Sequence, residues 1–191
     1  SEVAIGDRGN RCALNVSGDG SEDLRRGDAL VSPGAWFHST VFDAQVRVLS
    51  SSFPLRRRDG FMLHIGTNDQ SASVRVIGDE MIAPGSKGLV RIRFTVPLPL
   101  TPGDRFLLRD PGTGTTVGGG TVLDVDPRAR LSRAAPDGSV QSQLQGRGWI
   151  DINDAVRLTG VPLEPVAGRW YATDNVVRGA RSALESRAAD G

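Results

Sequence analysis

The feature that most constrains the fold is a series of apolar segments of near period two between residues 35 and 126. The segments, separated by Gly, Pro, Asn or Asp, are TVFDAQVRVLS, GFMLHIGT, ASVRVIG, GLVRIRFTVPLPL, DRFLLRD and GTVLDVD. Such alternation is typical of half-buried strands, and the residues between the segments are turn formers. No helical periodicity interrupts them. Because such a set must hide its edge strands, the pattern predicts a mainly β fold, either a closed barrel or a sandwich.

The segment before these strands is also predicted to be β-structure. In residues 1–32, Cys12, Leu14 and Val16 alternate with polar neighbours, and a Gly-Asp turn comes after them. Two or three strands cannot bury a core alone. We therefore expect them either to pack on the later strands or to be the tail of another domain.

Residues 147–191 change to helical periodicity. Asp151 or Asn153 is suited to cap a first helix that Gly160 ends, and Asp174 to cap a second one. Two helices joined by a Gly turn predict a helix-turn-helix or winged-helix-like unit. The residues expected to face its core are Ile152, Ala155, Val156, Leu158, Val176, Val177, Ala180, Ala183 and Leu184.

The composition excludes several classes of function. The chain has 191 residues, a formal net charge of +1 and one cysteine, Cys12, which we interpret as a buried thiol. Bulk charge therefore gives no sign of nucleic-acid binding, and one cysteine makes no internal disulfide. No apolar run approaches the roughly 20 residues of a membrane helix. These two features predict a cytoplasmic protein without membrane contact. The two histidines have no clustered partners, so we expect no metal site and no catalytic residue.

Residues 109–127, RDPGTGTTVGGGTVLDVDP, combine glycines and threonines as phosphate-binding loops do. A Walker-type loop needs a lysine after its last glycine, and this segment has none. The dinucleotide-binding fingerprint needs a helix after its glycines, whereas TVLDV is rich in β-branched residues. The pattern therefore predicts a hairpin with the turn PGTG, in which glycines inside the second strand mark a bulge or a close backbone approach.

This hairpin resembles the last hairpin of the third domain in the elongation factor Tu superfamily, on the segment GDRFLLRDPGTGTTVGGGTVLDV. FHSTVFDAQVRVLS resembles the opening strand of that domain, GFMLHIGTNDQSASVRVIG its central hairpin, and MIAPGSKGLVRIRFTVPLPLTPGDRF the strands before the last hairpin. GDRGNRCALNVSGDGSEDLRRGDALV is similar to the closing strands of the second domain. The resemblance implies four parts: second-domain strands (1–34), a third-domain β-barrel (35–127), a linker (128–146) and the start of a winged-helix domain (147–191).

Two further features resemble the selenocysteine-specific elongation factor within this superfamily. They are the glycine triplet Gly118–Gly120 followed by TVLDVDP, and the helical extension beginning GWIDINDAVRLTGV. The family's P-loop, Asn-Lys-x-Asp and Asp-x-x-Gly motifs do not occur in this chain. The resemblance thus implies an interior piece of a GTPase, with GTP and magnesium bound by a part absent from this chain. We expect no enzyme activity and no cofactor in the chain itself.

In this family the third domain holds the T-stem backbone of aminoacyl-tRNA, through donors and close approach of the chain. Arg109 is a further candidate, although it is equally suited to pair with Asp110 or Asp104. The implied partners are selenocysteyl-tRNA, the ribosome and, through absent C-terminal domains, an mRNA hairpin; a monomer is expected. Carried over by position, the tRNA-binding candidates are Gly114, Thr115, Thr116 and Gly118 on the last hairpin, His64, Gly66 and Thr67 on the central hairpin, and Arg109.

Two alternatives stay open at the level of the sequence. The chain is also compatible with another translational GTPase of the elongation factor Tu type that carries an unrelated helical tail. It is equally compatible with a stand-alone β-barrel joined to a helix-turn-helix, a binding module that would need a basic recognition helix. The last predicted helix is indecisive on this point, since it carries Arg178, Arg181 and Arg187 but also Glu185.

Two smaller groups have a structural and a functional interpretation. Arg56–Arg58 is predicted to be a solvated loop, with a phosphate or ribosome contact as the alternative. Trp149, Trp170 and Tyr171 are predicted to anchor the core of the helical unit, with base stacking as the alternative.

Overall fold

A computed structural model describes residues 13–56 and 60–189 of the chain. Over these residues there are ten β-strands and three α-helices. The strands are β1 (Phe37–Val48), β2 (Leu55–Arg56), β3 (Gly60–Ile65), β4 (Asn68–Ile77), β5 (Met81–Ile82), β6 (Lys87–Leu100), β7 (Arg105–Arg109), β8 (Thr116–Val125), β9 (Ile150–Asp151) and β10 (Trp170–Tyr171). The helices are α1 (Val140–Gln143), α2 (Ile152–Thr159) and α3 (Asp174–Ala189).

Six of the strands close into an antiparallel barrel in the order β1-β6-β4-β3-β7-β8. β1 closes the ring because it pairs with β6, where Phe42 lies opposite Ile92, and with β8, where Phe42 lies opposite Val125. The predicted mainly β fold around a closed barrel is confirmed, and each of the six apolar segments forms one barrel strand. Arg56 ends the short strand β2, which pairs with β5, whereas residues 57 and 58 lie outside the described ranges.

The interior of the barrel is filled by the alternating apolar residues of all six strands. Phe42 is the centre of an aromatic group, with its ring centroid 5.8 Å from that of Phe94 and 5.4 Å from that of Phe106. Tilted aromatic pairs of this kind add to the free energy gained by burying apolar area. Further buried residues of this core are Ala44, Val46, Val48, Leu63, Val74, Val76, Val90, Ile92, Leu108, Val117, Val122 and Val125.

The glycine triplet lies where β8 is held tightly between β1 and β7. A β-carbon added to Gly118 would lie 2.5 Å from the carbonyl oxygen of Arg47, and one added to Gly119 would lie 2.8 Å from that of Phe106. Both ladders of β8 also contain a register shift. The predicted close backbone approach is therefore confirmed, and it gives these glycines a structural reason.

The segment before the barrel does not form the predicted strands. Over residues 13–36 the structure contains turns and one 3₁₀ turn, Ser21–Asp23, and Leu14 is 70% exposed; Cys12 lies outside the described residues. The prediction of β-structure for residues 1–32 is therefore wrong in its described part. The physical reason is that a strand needs a hydrogen-bonded neighbour, and a closed barrel offers no free edge for one.

The helical unit, residues 140–189, comes after the barrel and packs on its end. Asp151 caps α2, because its Oδ1 accepts a hydrogen bond of 2.9 Å from the N–H of Asn153. Gly160 ends the same helix with a φ of +70°, as predicted. The small core of the unit, to which Phe37 of the barrel also packs, consists of Leu144, Ala155 and Leu158, with Val140, Ile150, Leu163 and Tyr171 at its edge.

The second half of the helical unit differs from its prediction in three respects. Thr173, not Asp174, precedes α3, and its carbonyl oxygen accepts from the N–H of Val177 at 3.1 Å. Leu184, predicted to be apolar core, is 68% exposed. Trp149 and Trp170 are 42% and 43% exposed, so the prediction that they anchor the core is wrong, while Tyr171 does pack on it. Among the described residues, no element packs closely enough on these side chains to bury them.

Candidate nucleic-acid interface

The turn between β7 and β8, residues 110–115, is organised by Asp110. Its Oδ1 accepts hydrogen bonds from the N–H of Gly112 at 3.0 Å and from the N–H and hydroxyl of Thr113 at 2.7 and 3.0 Å. The backbone N–H of Thr113 contributes most to holding the pKa of Asp110 below its ordinary value. The N–H of Asp110 donates to the carbonyl of Thr115 at 2.9 Å, and the N–H of Gly114 to the carbonyl of Asp110 at 2.8 Å. Hydrogen bonds within the turn thus hold this loop in its conformation.

This bonding pattern limits what the turn offers to an RNA backbone. Most of its amides already donate within the turn, so they are not spare donors for phosphate. The hydroxyl of Thr115 is exposed but lies 2.8 Å from that of Thr113. Within the described ranges, the Thr116 hydroxyl and the exposed Arg109 guanidinium have no hydrogen-bond or ion-pair partner. Hydroxyls and one guanidinium are thus the groups left to contact a ligand.

Arg109 makes neither of the two ion pairs for which its position is suited. The carboxylate of Asp110 is taken up by the turn, and Asp104 accepts from the N–H of Thr101 at 2.9 Å at the other end of β7. Arg109 on β7 lies opposite Met62 on the neighbouring strand β3. Its side chain points outward, because that of the adjacent residue Leu108 is buried inside the barrel. It is thereby placed beside Thr116, its opposite residue on β8.

Three of the candidate residues are glycines, and backbone conformation or close packing explains why glycine occurs at each position. Gly66 and Gly114 have φ values of +57° and +67°, which L side chains rarely adopt. Gly118 is buried in the barrel wall against β1. Their presence in the sequence is therefore explained by turns and by close packing, so the chemistry available to a ligand lies with their neighbours.

The structure places the candidates at two opposite ends of the barrel. In the pairing of β3 with β7, Met62 lies opposite Arg109 and His64 opposite Leu107. Gly66 comes four residues after Met62, so at about 3.4 Å per residue it lies about 14 Å along the barrel from the level of Arg109, and Thr67 lies next to it. Arg109 and residues 114–118 thus form one group, the Thr-rich turn end. His64, Gly66 and Thr67 form a second group, the central-hairpin end.

The central-hairpin end is partly covered by the segment before β1. A β-carbon on Gly27 would lie 3.3 Å from Nδ2 of Asn68 and 3.5 Å from the carbonyl oxygen of Thr67. The same segment, residues 27–31, lines an open cavity of about 400 Å³ together with Gly66 and Thr67. The Thr-rich turn carries no such cover among the described residues, which leaves it the more accessible of the two ends.

A buried charge cluster on the outer barrel wall was missed by the sequence analysis. Nε and Nη2 of Arg91 donate to the two carboxylate oxygens of Asp43 at 2.7 and 2.8 Å, and Nη1 donates to the carbonyl of Ala129 at 2.8 Å. Burial raises the pKa of Asp43, and the hydrogen bond with Asp43 raises the pKa of Arg91. Both side chains occupy polar positions of their strands, so nothing in the local pattern distinguishes them from solvent-facing residues.

No group of three or more His, Cys, Asp or Glu side chains in the described part of the chain is arranged to hold a metal ion. No helix within residues 13–56 and 60–189 is long and apolar enough to cross a membrane.

Comparison with known proteins assigns the barrel to a class. Residues 43–129, nearly the whole of the barrel, match the family "selenocysteine-specific elongation factor, beta-barrel domain". The fold is therefore a barrel of the elongation-factor class. The chain is also similar to the selenocysteine-specific elongation factor of Desulfomicrobium baculatum, with 30% identity over 159 residues that cover 75% of this chain and 25% of that protein. The barrel of this chain belongs to the selenocysteine-specific elongation factor family, and the chain spans about a quarter of the curated relative.

Proposed function

We propose that this chain is the tRNA-contacting barrel of a selenocysteine-specific elongation factor, together with the linker that leads to its mRNA-reading tail. The observation that carries the proposal is the match of residues 43–129 to the barrel domain of that family. The alignment with the Desulfomicrobium baculatum protein is longer than the barrel. This extent favours the same factor over another GTPase with an unrelated tail.

In the proposal, the Thr-rich turn end lies along the backbone of the T-stem of selenocysteyl-tRNA. Backbone recognition in double-stranded RNA uses phosphates and 2′-hydroxyls, which need short polar side chains and positive charge. Thr115 and Thr116 supply hydroxyls on a turn that Asp110 holds in place, and Arg109 supplies a guanidinium suited to a phosphate. The turn needs no reordering on binding, so little conformational entropy is lost.

The chemistry of the parent factor is assigned to other parts of it. GTP and magnesium would be bound by a GTPase domain, and the mRNA hairpin by further C-terminal domains. This chain would hold tRNA, contact the ribosome and connect the two, in the cytoplasm and without a cofactor or catalytic residue of its own. Selectivity for the selenocysteyl group would lie mostly outside this chain.

The proposal is tested by measuring the affinity of the full-length factor for selenocysteyl-tRNA with Thr115→Glu and Thr116→Glu substitutions. Two carboxylates next to RNA phosphates should repel the RNA, and the hydroxyl hydrogen bonds to phosphate are lost. Because a hydrogen bond to a charged group is worth about 1.5–3 kcal/mol, we expect at least a tenfold loss of affinity. The matched control is Thr40→Glu, an exposed threonine in the first part of β1 at the other end of the barrel.

A second variant separates the two ends of the barrel. Thr67→Glu changes the central-hairpin end in the same way, and we expect a smaller effect because that end is partly covered by residues 27–31. Unchanged affinity in the Thr115→Glu, Thr116→Glu protein, with an unaltered circular dichroism spectrum, would remove the turn from the interface. A large effect of Thr67→Glu alone would move the interface to the opposite end.

A further inference from the structure

The barrel and the helical unit are joined by Arg147, whose side chain is 5% exposed. Its Nε donates to the carbonyl of Gln143 at 3.0 Å, at the end of α1. Its Nη2 donates to the carbonyls of Val125 and Asp126 at 3.0 and 2.6 Å, where β8 ends. One guanidinium thus ties the last barrel strand to the first helix of the unit. We call this contact the Arg147 joint.

Asp124 lies in the joint without a full set of partners. The residue is 7% exposed, and its Oδ1 is 4.0 Å from Nη2 of Arg147, which is beyond hydrogen-bond length. Among the described residues, Oδ1 of Asp124 and Oε1 of Gln143 are the two buried side-chain atoms that have no hydrogen-bond partner. Both are acceptors, and both belong to elements that pack together, β8 and α1. Each of these two buried oxygens therefore lacks a donor in the joint.

The charged groups around Asp124 do not supply that donor. On β1, Asp43 lies directly opposite Asp124, but it is fully engaged by Arg91 of β6. After β8, Oδ2 of Asp126 lies 3.1 Å from Nη2 of Arg128 and 3.6 Å from Nη1 of Arg147. On α2, which also packs on β8, Asp154 and Arg157 pair with each other at 3.2 Å. Asp124 therefore lies near the carboxylates of Asp43 and Asp126 and the guanidiniums of Arg91 and Arg147, but both guanidiniums donate their hydrogen bonds to other groups.

We propose that the Arg147 joint is a proton-linked latch, which holds the helical unit on the barrel when Asp124 is protonated and loosens when Asp124 is ionised. A proton would neutralise the buried Oδ1 of Asp124, which has no hydrogen-bond partner, and would remove the repulsion between Asp124 and Asp43. An ionised carboxylate prefers water, which it regains when the helical unit moves away. The device goes beyond tRNA binding, because it would set how firmly the barrel and the tail move as one body.

The electrostatic environment agrees with this geometry. Burial raises the pKa of Asp124 to about 7, against the lowering effect of Arg147. A carboxyl that becomes solvated on undocking has a lower pKa, so the docked state binds the proton more tightly. Docking is then strongest at low pH and weakens as pH rises towards 7, by up to about tenfold per pH unit for one linked proton. Above about pH 7 the strength of docking no longer changes with pH.

The experiment measures the distance between barrel and helical unit by pulsed electron paramagnetic resonance at pH 5 and pH 8.5. In a Cys12→Ser background, spin labels are attached through the substitutions Ser73→Cys on β4 and Asn153→Cys on α2, at two exposed positions. We expect one narrow distance at pH 5 and, at pH 8.5, a broader distribution with an added longer distance. No RNA or nucleotide is present, so the result does not depend on the proposed tRNA contact.

Variants identify the titrating group. Asp124→Asn keeps the shape and adds a permanent N–H donor, so we expect the narrow distance at both pH values. Asp69→Asn is the matched control, an exposed carboxylate on β4 outside the joint, and it should retain the change with pH. Arg147→Gln should give the broad distribution at both pH values. A wild-type distribution that is the same at pH 5 and 8.5, or a pH response that persists in Asp124→Asn, would overturn the proposal.

Discussion

The backbone of Gly120 passes so close to Gln45 that a β-carbon at residue 120 would lie 1.9 Å from the carbonyl oxygen of Gln45. The contact joins β8 to β1 at the seam that closes the barrel. The atoms that the added β-carbon would meet belong to the backbone, so no side-chain rotation can relieve the clash. A substitution at this position must move one of the two strands.

We therefore expect Gly120→Ala to destabilise the barrel by about 1–3 kcal/mol or more, as overpacking does. The matched control is Gly60→Ala on β3, where a β-carbon would meet no atom within 4 Å and φ is not positive. That change should be neutral or slightly stabilising. Urea denaturation of both variants measures the difference, and equal midpoints would contradict the close approach.

A second prediction concerns the buried pair Asp43–Arg91. Asp43→Asn removes the charge that balances Arg91 inside the barrel wall, and we expect a loss of about 3–5 kcal/mol in the free energy of unfolding. Replacing both residues by Val and Met should cost less than the sum of the two single changes. The exposed pair Asp154–Arg157 is the control, and breaking it should cost at most about 0.5 kcal/mol. A full double-mutant cycle by denaturation tests this ranking.

The strand pattern was predictable because alternation of apolar and polar residues is a local property. The same holds for the end of α2, since a capping carboxylate and a left-handed glycine act within one turn of the helix. Asp151 was one of two candidates for the cap, and the geometry selected it. Local rules thus account for the barrel strands and for the limits of α2.

The remaining features depend on pairings that the sequence does not display. Leu14 and Val16 alternate with polar neighbours as in a strand, but the closed ring gives this segment no neighbour. Asp43 and Arg91 occupy polar strand positions that a later segment, through Ala129, covers. The separation of His64 from Thr116 results from strand order, because it decides which turns share an end of the barrel. None of these features can be predicted from a few consecutive residues, because each depends on contacts between distant segments of the chain.

A third prediction concerns the pH dependence of stability. Burial raises the pKa of Asp124 to about 7, above its value of about 3.9 in an unfolded chain. The folded state therefore binds this proton more tightly, and its stabilising effect is complete below pH ~4 and is lost as pH rises to about 7. Between pH 5 and 7 the slope is at most about 1.4 kcal/mol per pH unit. Asp124→Asn should remove that slope in urea denaturation, and identical profiles would exclude Asp124 as its source.

A fourth prediction separates the two roles of Asp151. The carboxylate caps α2 through the N–H of Asn153, and it also lies 2.7 Å from Nε of the exposed Arg169. Asp151→Ala should cost about 0.5–2 kcal/mol, whereas Asp151→Asn keeps a capping oxygen and should cost little. Hydrogen exchange of the α2 amides provides the measurement. Equal protection in Asp151→Ala and wild type would show that the cap contributes nothing.

The last prediction tests whether Arg109 contacts an RNA phosphate. Arg109 and Arg105 lie on the same outer face of β7, are both exposed, and are at opposite ends of the strand. A guanidinium that neutralises one phosphate releases counterions, so its removal lowers the salt dependence of binding as well as the affinity. For Arg109→Gln in the full-length factor we expect the slope of log K against log salt concentration to fall by about one. Arg105→Gln, the matched control at the central-hairpin end, should leave the slope unchanged. If both variants lower the slope equally, the contact is a diffuse attraction to β7 and not a defined phosphate site beside the Thr-rich turn.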